Sequence, residues 1–179
     1  MKKTFQVSDE KPRCSWCLGF EEYVAYHDTE WGVPVWDDRV HFEFLILESA
    51  QAGLSWATIL KKREGYRKAF ADFDYKVVAE FPESYVQELL QDPSIVRNVL
   101  KIRAAINNAK CFMEVQQEFG SLSMSEAQAT TKESDLLAKD LKKRGFKFLG
   151  STTVYAHMQA TGLFNDHLVD CFRYKEVKI

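Results

Sequence analysis

The sequence predicts an all-α protein. Strand signals are weak along its 179 residues, apolar residues recur at helical spacing, and residues that cap or stop helices bracket those runs. A chain of this length can carry one well-cored domain, or two small lobes sharing a cleft. Its 46% apolar and 28% charged residues are those of an ordinary globular protein. No stretch has the apolar length of a membrane span. The N-terminal MKKTFQVSDEKPR lacks the apolar run of a secretory signal, so residues 1–13 read as a flexible tail ahead of a single domain over 14–179. Four cysteines without an export signal suggest a reducing, cytoplasmic setting, hence thiols or metal ligands rather than disulfides.

The elements follow in order. Asp37 or Asp38 can cap a helix with apolar positions at Phe42, Leu45 and Ile46, stopping at Gly53. Ser55 opens the next, with Trp56, Ile59 and Leu60 on one side and Tyr66 and Phe70 extending the stripe. Pro82 sits like a first-turn proline for a helix over Glu83 to Gln91. Pro93-Ser94 then starts a long helix through Ile95, Val99, Ile102, Ile106, Ala109 and Met113. Residues 120–132 are small and polar and read as an exposed linker. Ser134 caps a helix that ends at Gly145, and a further helix through Val154, Tyr155 and Met158 ends near Gly162. NDHLVDC, Asn165 to Cys171, is the last readable element.

One corner stands out. Glu48 lies near a helix C-terminus, where the macrodipole disfavours a carboxylate, and Trp56 begins the helix beyond the Gly53 break. All four tryptophans, Trp16, Trp31, Trp36 and Trp56, fall in the first third of the chain, with Tyr23 and Tyr26 among them. Most such rings build a core. Tyr26, beside the candidate metal ligand His27, and Trp56, at a helix start, are placed to face a cleft. A carboxylate enclosed by aromatic faces suits a flat, cationic ligand.

Zinc takes four thiolate or imidazole ligands in a structural site. His167 and Cys171 would share one face of a helix, and Cys14 and His27 lie near the other end, so these four would join the termini. Cys17 is a rival ligand through Cys14-x-x-Cys17, and the alternative is two buried thiols with two surface histidines. Cys111 reads as core, His41 as surface, and His157 as packed or facing water.

A net charge of −2 argues against a nucleic-acid partner, but Lys142, Lys143, Arg144 and Lys147 cluster locally. They flank GFKFLGSTT between two helices. A helix-hairpin-helix can grip a DNA backbone with hairpin and helix-start amides. Gly150 would let a phosphate approach, while Lys147, Ser151 and Thr152 would supply charge and hydrogen-bond donors.

Together YHDTEWGVP, LESAQAGLSWATILKKRE, LKKRGFKFLG and NDHLVDC resemble the bacterial 3-methyladenine DNA glycosylase I family, over nearly the whole chain after the tail. The resemblance implies a helix-hairpin-helix glycosylase, with two helical lobes around a cleft and the termini joined by structural zinc on Cys14, His27, His167 and Cys171. By position it puts Glu48, Tyr26, Trp56 and Trp16 in the base pocket, to which Tyr23 is added; Glu48 is expected to be the catalytic residue, selecting the lesion with Tyr26 by hydrogen bonding. It implies excision of cationic 3-methyladenine from alkylated DNA; a monomer acting on double-stranded DNA containing alkylated bases is expected. Three departures stand out: Ser49-Ala50 where a glycine and a glutamine are common, a short linker, and Phe148 where the wider superfamily often has a glycine. No lysine follows Gly150 at the position of a Schiff-base nucleophile, so a monofunctional enzyme is expected. Relatives in the wider superfamily carry a catalytic aspartate just before this segment, so Asp166 could stabilise the sugar cation, but it is expected rather to cap a helix or to support the zinc ligand beside it. The rival readings are a non-catalytic, zinc-stapled DNA-binding module and a pocket for a free cationic purine.

Overall fold

A computed structural model describes residues 9–120 and 131–177. Among these residues every regular element is helical and none is a strand. The helices are α1 (Glu21–Thr29), α2 (Asp38–Gln51), α3 (Trp56–Leu60), α4 (Arg63–Ala69), α5 (Tyr75–Ala79), α6 (Glu83–Leu89), α7 (Val99–Phe119), α8 (Thr131–Lys143), α9 (Ser151–Ala160) and α10 (Phe172–Glu176). None is long and apolar enough to cross a membrane.

The fold is built on α2. Asp37 starts it by accepting from the Arg39 and Val40 amides, which satisfies donors that a helix start leaves open. Every residue from His41 to Ala50 is buried, as expected of a helix running through the middle of a domain. It packs against α3, α7 and α9. Phe42, Leu45 and Ile46 join Phe70, Phe73, Ile102, Phe112 and Met158 in the main core. Phe44 enters a second cluster with Tyr26, Trp31, Leu60 and Ala160, and Trp56 packs against both. Trp36 stands apart, 66% exposed.

Three expected boundaries move, each for a tertiary reason. The long helix begins at Val99, capped by Asn98, rather than at Pro93. Residues before it are held as a loop on α4: Lys62 Nζ donates to Pro93 O at 2.6 Å and the Val96 amide to the Tyr66 hydroxyl at 3.2 Å. Ser134 lies inside α8 and does not cap it. The helix expected from Ser55 through Phe70 is two, α3 and α4, broken at Lys61-Lys62. Ser49 and Ala50 are buried near the end of α2. The expected linker falls largely on 121–130, outside the described residues.

Gly162 ends α9 with φ +71°, and a Cβ there would lie 2.4 Å from the Val33–Pro34 backbone. That close approach draws loop 32–35 onto the end of α9, where Gly32 N donates to Ala160 O and Val35 N to Thr161 O. At the termini, Phe172 N donates to Pro12 O at 2.9 Å, and Arg13 pairs with Asp9 and Asp28.

Candidate active site

The expected corner is a cavity of about 420 Å³, within the range of small-molecule sites. Trp16, Tyr23, Tyr26, Glu48 and Trp56 all line it. Trp16 and Tyr23 come from the segment around the start of α1, Tyr26 from α1 itself, Glu48 from α2, and Trp56 from the first turn of α3, which Ser55 caps. The Tyr26 and Trp56 rings lie 5.5 Å apart, and Trp16 stands 5.2 Å from Tyr23 and 4.9 Å from Trp31. Gln159, Ala156 and Ala160 of α9 form the facing wall.

Glu48 is 3% exposed. Its Oε2 lies 3.0 Å from His157 Nδ1, while its Oε1 has no hydrogen-bond partner. The Trp56 Nε1 is also buried and unpaired. Such groups are rare in folded proteins and cost stability, so both are free to meet a ligand. Burial, rather than the helix dipole expected from sequence, pushes the Glu48 carboxyl well up. His157 continues to His41: its Nε2 is 3.3 Å from His41 Nδ1, and His41 Nε2 is 3.0 Å from Val35 O. Burial pushes both histidines down to about 4. His41 is therefore interior, contrary to the surface position read from sequence.

The four expected metal ligands come together. Cys14 Sγ, His27 Nε2, His167 Nδ1 and Cys171 Sγ offer atoms within 4.8 Å of one another, all buried. The outer nitrogen of each ring is engaged, His27 Nδ1 by Asp28 at 2.7 Å and His167 Nε2 by the Trp31 carbonyl at 3.2 Å. That pairing turns a lone pair of each imidazole inward, as a metal requires. Cys17 is not among them; its thiol bonds to Cys14 O at 3.1 Å and burial pushes it to about 12. His167 and Cys171 reach the site from a turn closed by Cys171 N and Leu168 O, not from one helix face. Asp166 neither caps a helix nor supports His167; it is tied to Tyr155 and Gln159 at the cavity wall.

The hairpin joins α8 to α9 and is pinned to α7. Asn107 donates to Gly145 O, Asn108 donates to Lys147 O, and the Lys147 amide returns a bond to Asn108 Oδ1. Phe148 takes φ +57°, a left-handed conformation that favours glycine. Lys147, Gly150 and Thr152 are exposed and Ser151 is half-buried. Arg144 is committed to Glu118 and Asp140, which removes it from the expected basic cluster. The ten residues of α9 set the hairpin about 15 Å from the helix end that walls the cavity.

Residues 16–125 and 123–174 match the family model for methyladenine glycosylase. The chain belongs to the methyladenine glycosylase family. It is thereby an N-glycosyl hydrolase. DNA-3-methyladenine glycosylase 1 of Escherichia coli (strain K12) is 44% identical over 180 residues, spanning 90% of this chain and 96% of that one. A crystal structure of 3-methyladenine DNA glycosylase I superposes with a TM-score of 0.81 at 45% identity, covering 90% of this chain and 98% of that one. The Staphylococcus aureus 3-methyladenine DNA glycosylase I, solved to explain its recognition of 3-methyladenine, gives 0.82 at 37% identity, covering 89% and 95%.

In this glycosylase the residues that sequence reading missed are His157 and His41. Both carried a faint signal: His157 is three residues past the buried Val154, and His41 is two turns before Glu48 on α2. Their burial fixes the sign of a pH dependence. A histidine whose folded pKa lies below its unfolded 6.5 loses stability as the pH falls from about 6.5 toward 4, whereas a carboxyl raised above 4.5 loses it as the pH rises. Asp37 and Asp38 face His41, and Tyr26 faces Glu48. Between about pH 5 and 6 the unfolded chain then binds more protons at the histidines and fewer at Glu48. Glu48→Gln removes the opposing contribution. Its stability should therefore fall more steeply on acidification than that of the parent protein, as read by denaturant unfolding across that range.

Proposed function

We propose that this enzyme excises cationic 3-methyladenine from alkylated double-stranded DNA by hydrolysis, without cutting the strand. One observation carries the reading: an aromatic cavity of base size holds a buried carboxyl group with an unpaired oxygen. A base inside a duplex must be extruded at a cost of a few kcal/mol, and stacking on Trp56 and Trp16 would return about 1–3 kcal/mol per base. Glu48 Oε1 accepts an N–H of the base, and Tyr26 and Tyr23 complete the enclosure. N3 methylation makes the base a cation, so its glycosidic bond is already weakened and the base departs neutral. No general acid is needed, and water captures the oxocarbenium-like sugar. No lysine is among the residues lining the cavity, which supports a monofunctional reaction.

Two further parts belong to the reading. Cys14, His27, His167 and Cys171 hold zinc, which supplies a structural link and no chemistry at the base; a closed set of two thiols and two imidazoles is what that role calls for. Lys147, Gly150, Ser151 and Thr152 hold the DNA backbone. Gly150 has an ordinary φ of −78° and nothing within 4 Å of where a Cβ would stand, so nothing within the described chain demands a glycine there. An approaching phosphate would. Gly150→Ala should leave stability within about 1 kcal/mol yet weaken duplex binding. Lys147→Ala should reduce the salt dependence of binding by about one ion, measured by fluorescence anisotropy across a salt series.

The deciding experiment incubates methylated duplex DNA with the protein and identifies the released bases. Release of 3-methyladenine without strand scission is expected. Release at the spontaneous rate alone would reduce the protein to a DNA-binding module.

A further inference from the structure

Two buried glutamates on α2 are accommodated differently. Glu43 is ion-paired with Arg63 at 2.7 Å and Arg67 at 3.2 Å. Glu48 has an imidazole instead, His157, whose far nitrogen meets His41, whose far nitrogen meets the Val35 carbonyl. Leu45, Leu137, Leu141, Val154 and Leu163 enclose the two rings.

The last member sets the direction of every bond in this row. The Val35 carbonyl only accepts, so His41 Nε2 carries a hydrogen. A neutral His41 then accepts at Nδ1, and His157 Nε2 donates to it. A neutral His157 accepts at Nδ1, which leaves Glu48 Oε2 as the donor across the 3.0 Å contact. If Glu48 is ionised instead, the row must contain an imidazolium. In both cases the trio holds one proton beyond two neutral imidazoles and a carboxylate, and its net charge is zero.

We infer that His157, supported by His41, is a positioning residue that holds the Glu48 proton: the trio rests as a carboxylic acid and two neutral imidazoles, and the proton crosses to His157 when a cationic base enters the cavity. This rests on the glycosylase reading above. The O–H bond of Glu48 Oε2 breaks and an N–H bond forms at His157 Nδ1, giving a carboxylate and an imidazolium with no other atom exchanged. The entering cation then faces a carboxylate, with the imidazolium behind it. At rest the cavity is spared a bare buried carboxylate, which is costly. Neutral adenine brings no charge to draw the proton across, so selection for the cation is built into the row. After cleavage the base is neutral, the proton returns, and the product loses its charged contact. Asp37 and Asp38 face His41 and favour positive charge there; Tyr26 faces Glu48. The directions in which burial pushes all three groups agree with the resting state.

The test uses the whole protein and two probes, the permanent cation 3,9-dimethyladeninium and neutral 9-methyladenine. Infrared difference spectra should show a protonated carboxyl in the free protein that Glu48→Gln lacks. Saturating cation should erase that band and convert His157 to imidazolium by nitrogen NMR, while 9-methyladenine at the same concentration leaves both unchanged. His157→Asn can still accept from the acid but cannot take its proton. It should lose about tenfold in affinity for the cation, the equivalent of one pKa unit, and much less for the neutral base. A carboxyl band that survives saturating cation, or an imidazolium at His157 in the free protein, would overturn the inference while 3-methyladenine release continued. Failure to release 3-methyladenine from methylated DNA would sink the glycosylase reading, and the inference with it.

Discussion

Glu48→Ala should abolish measurable excision of 3-methyladenine and leave the protein folded. The carboxyl group touches the base in the proposed complex and works in a water-poor cavity, where one well-aimed polar group is worth about 10²–10³ in rate. Its Oε1 has no partner in the free protein, so truncation removes an unsatisfied atom as well as a hydrogen bond to His157. These effects oppose each other, and about 1 kcal/mol either way moves the melting temperature by only about 2–4 °C at this size. Glu43→Ala, five residues earlier on α2, is the control. It takes the buried partner from Arg63, which keeps Glu30, and from Arg67, which keeps Glu64 and Asp72, and hydrogen bonds to a charged group are worth about 1.5–3 kcal/mol. The two variants should therefore part cleanly, one losing single-turnover excision and the other thermal stability. Undiminished excision in Glu48→Ala would remove Glu48 from the chemistry.

What could be read from sequence depended on how far a residue's partners lie along the chain. Asp37 and Ser55 cap helices that begin next to them, and Gly145 takes its positive φ at the end of α8; these are short-range effects with fixed residue preferences. The start of α7 failed because Pro93 and Val96 are claimed by α4, some thirty residues earlier. The four residues expected to hold a metal do come together, but with a different local geometry, since a His-x-x-x-Cys spacing fits a turn as well as a helix face. Trp16, more than a third exposed, entered only through the family resemblance. His157 and His41 were missed because a histidine on a buried stripe looks the same whether it fills space or carries a proton; only their partners separate the two, Glu48 at 109 residues from His157 and His157 at 116 from His41.

Stripping the proposed zinc should cost the enzyme its proposed base pocket before it costs the helices. The four proposed ligands tie segments at opposite ends of the chain, Cys14 to His167 and Cys171 to His27, and the binding energy of a metal held this way would be folding energy. The main core of α2, α7 and α9 includes none of the four, so it should survive chelation with its far-ultraviolet dichroism largely intact. Residues 9–17 and 165–177 would lose their anchor and open locally. Trp16, Asp166 and Leu168, all on the cavity wall, lie on those segments. A loss of about 3–5 kcal/mol corresponds to roughly 6–20 °C in melting temperature at this size. Mass spectrometry under native conditions should find one zinc per chain, and Cys171→Ser should reproduce the chelated state. Cys17→Ser should not, because Cys17 bonds to a carbonyl and not to the cluster. If the stripped protein bound 3-methyladenine as tightly as the loaded one, the cluster would have no part in shaping the pocket, and the link between termini and active site would have to be abandoned.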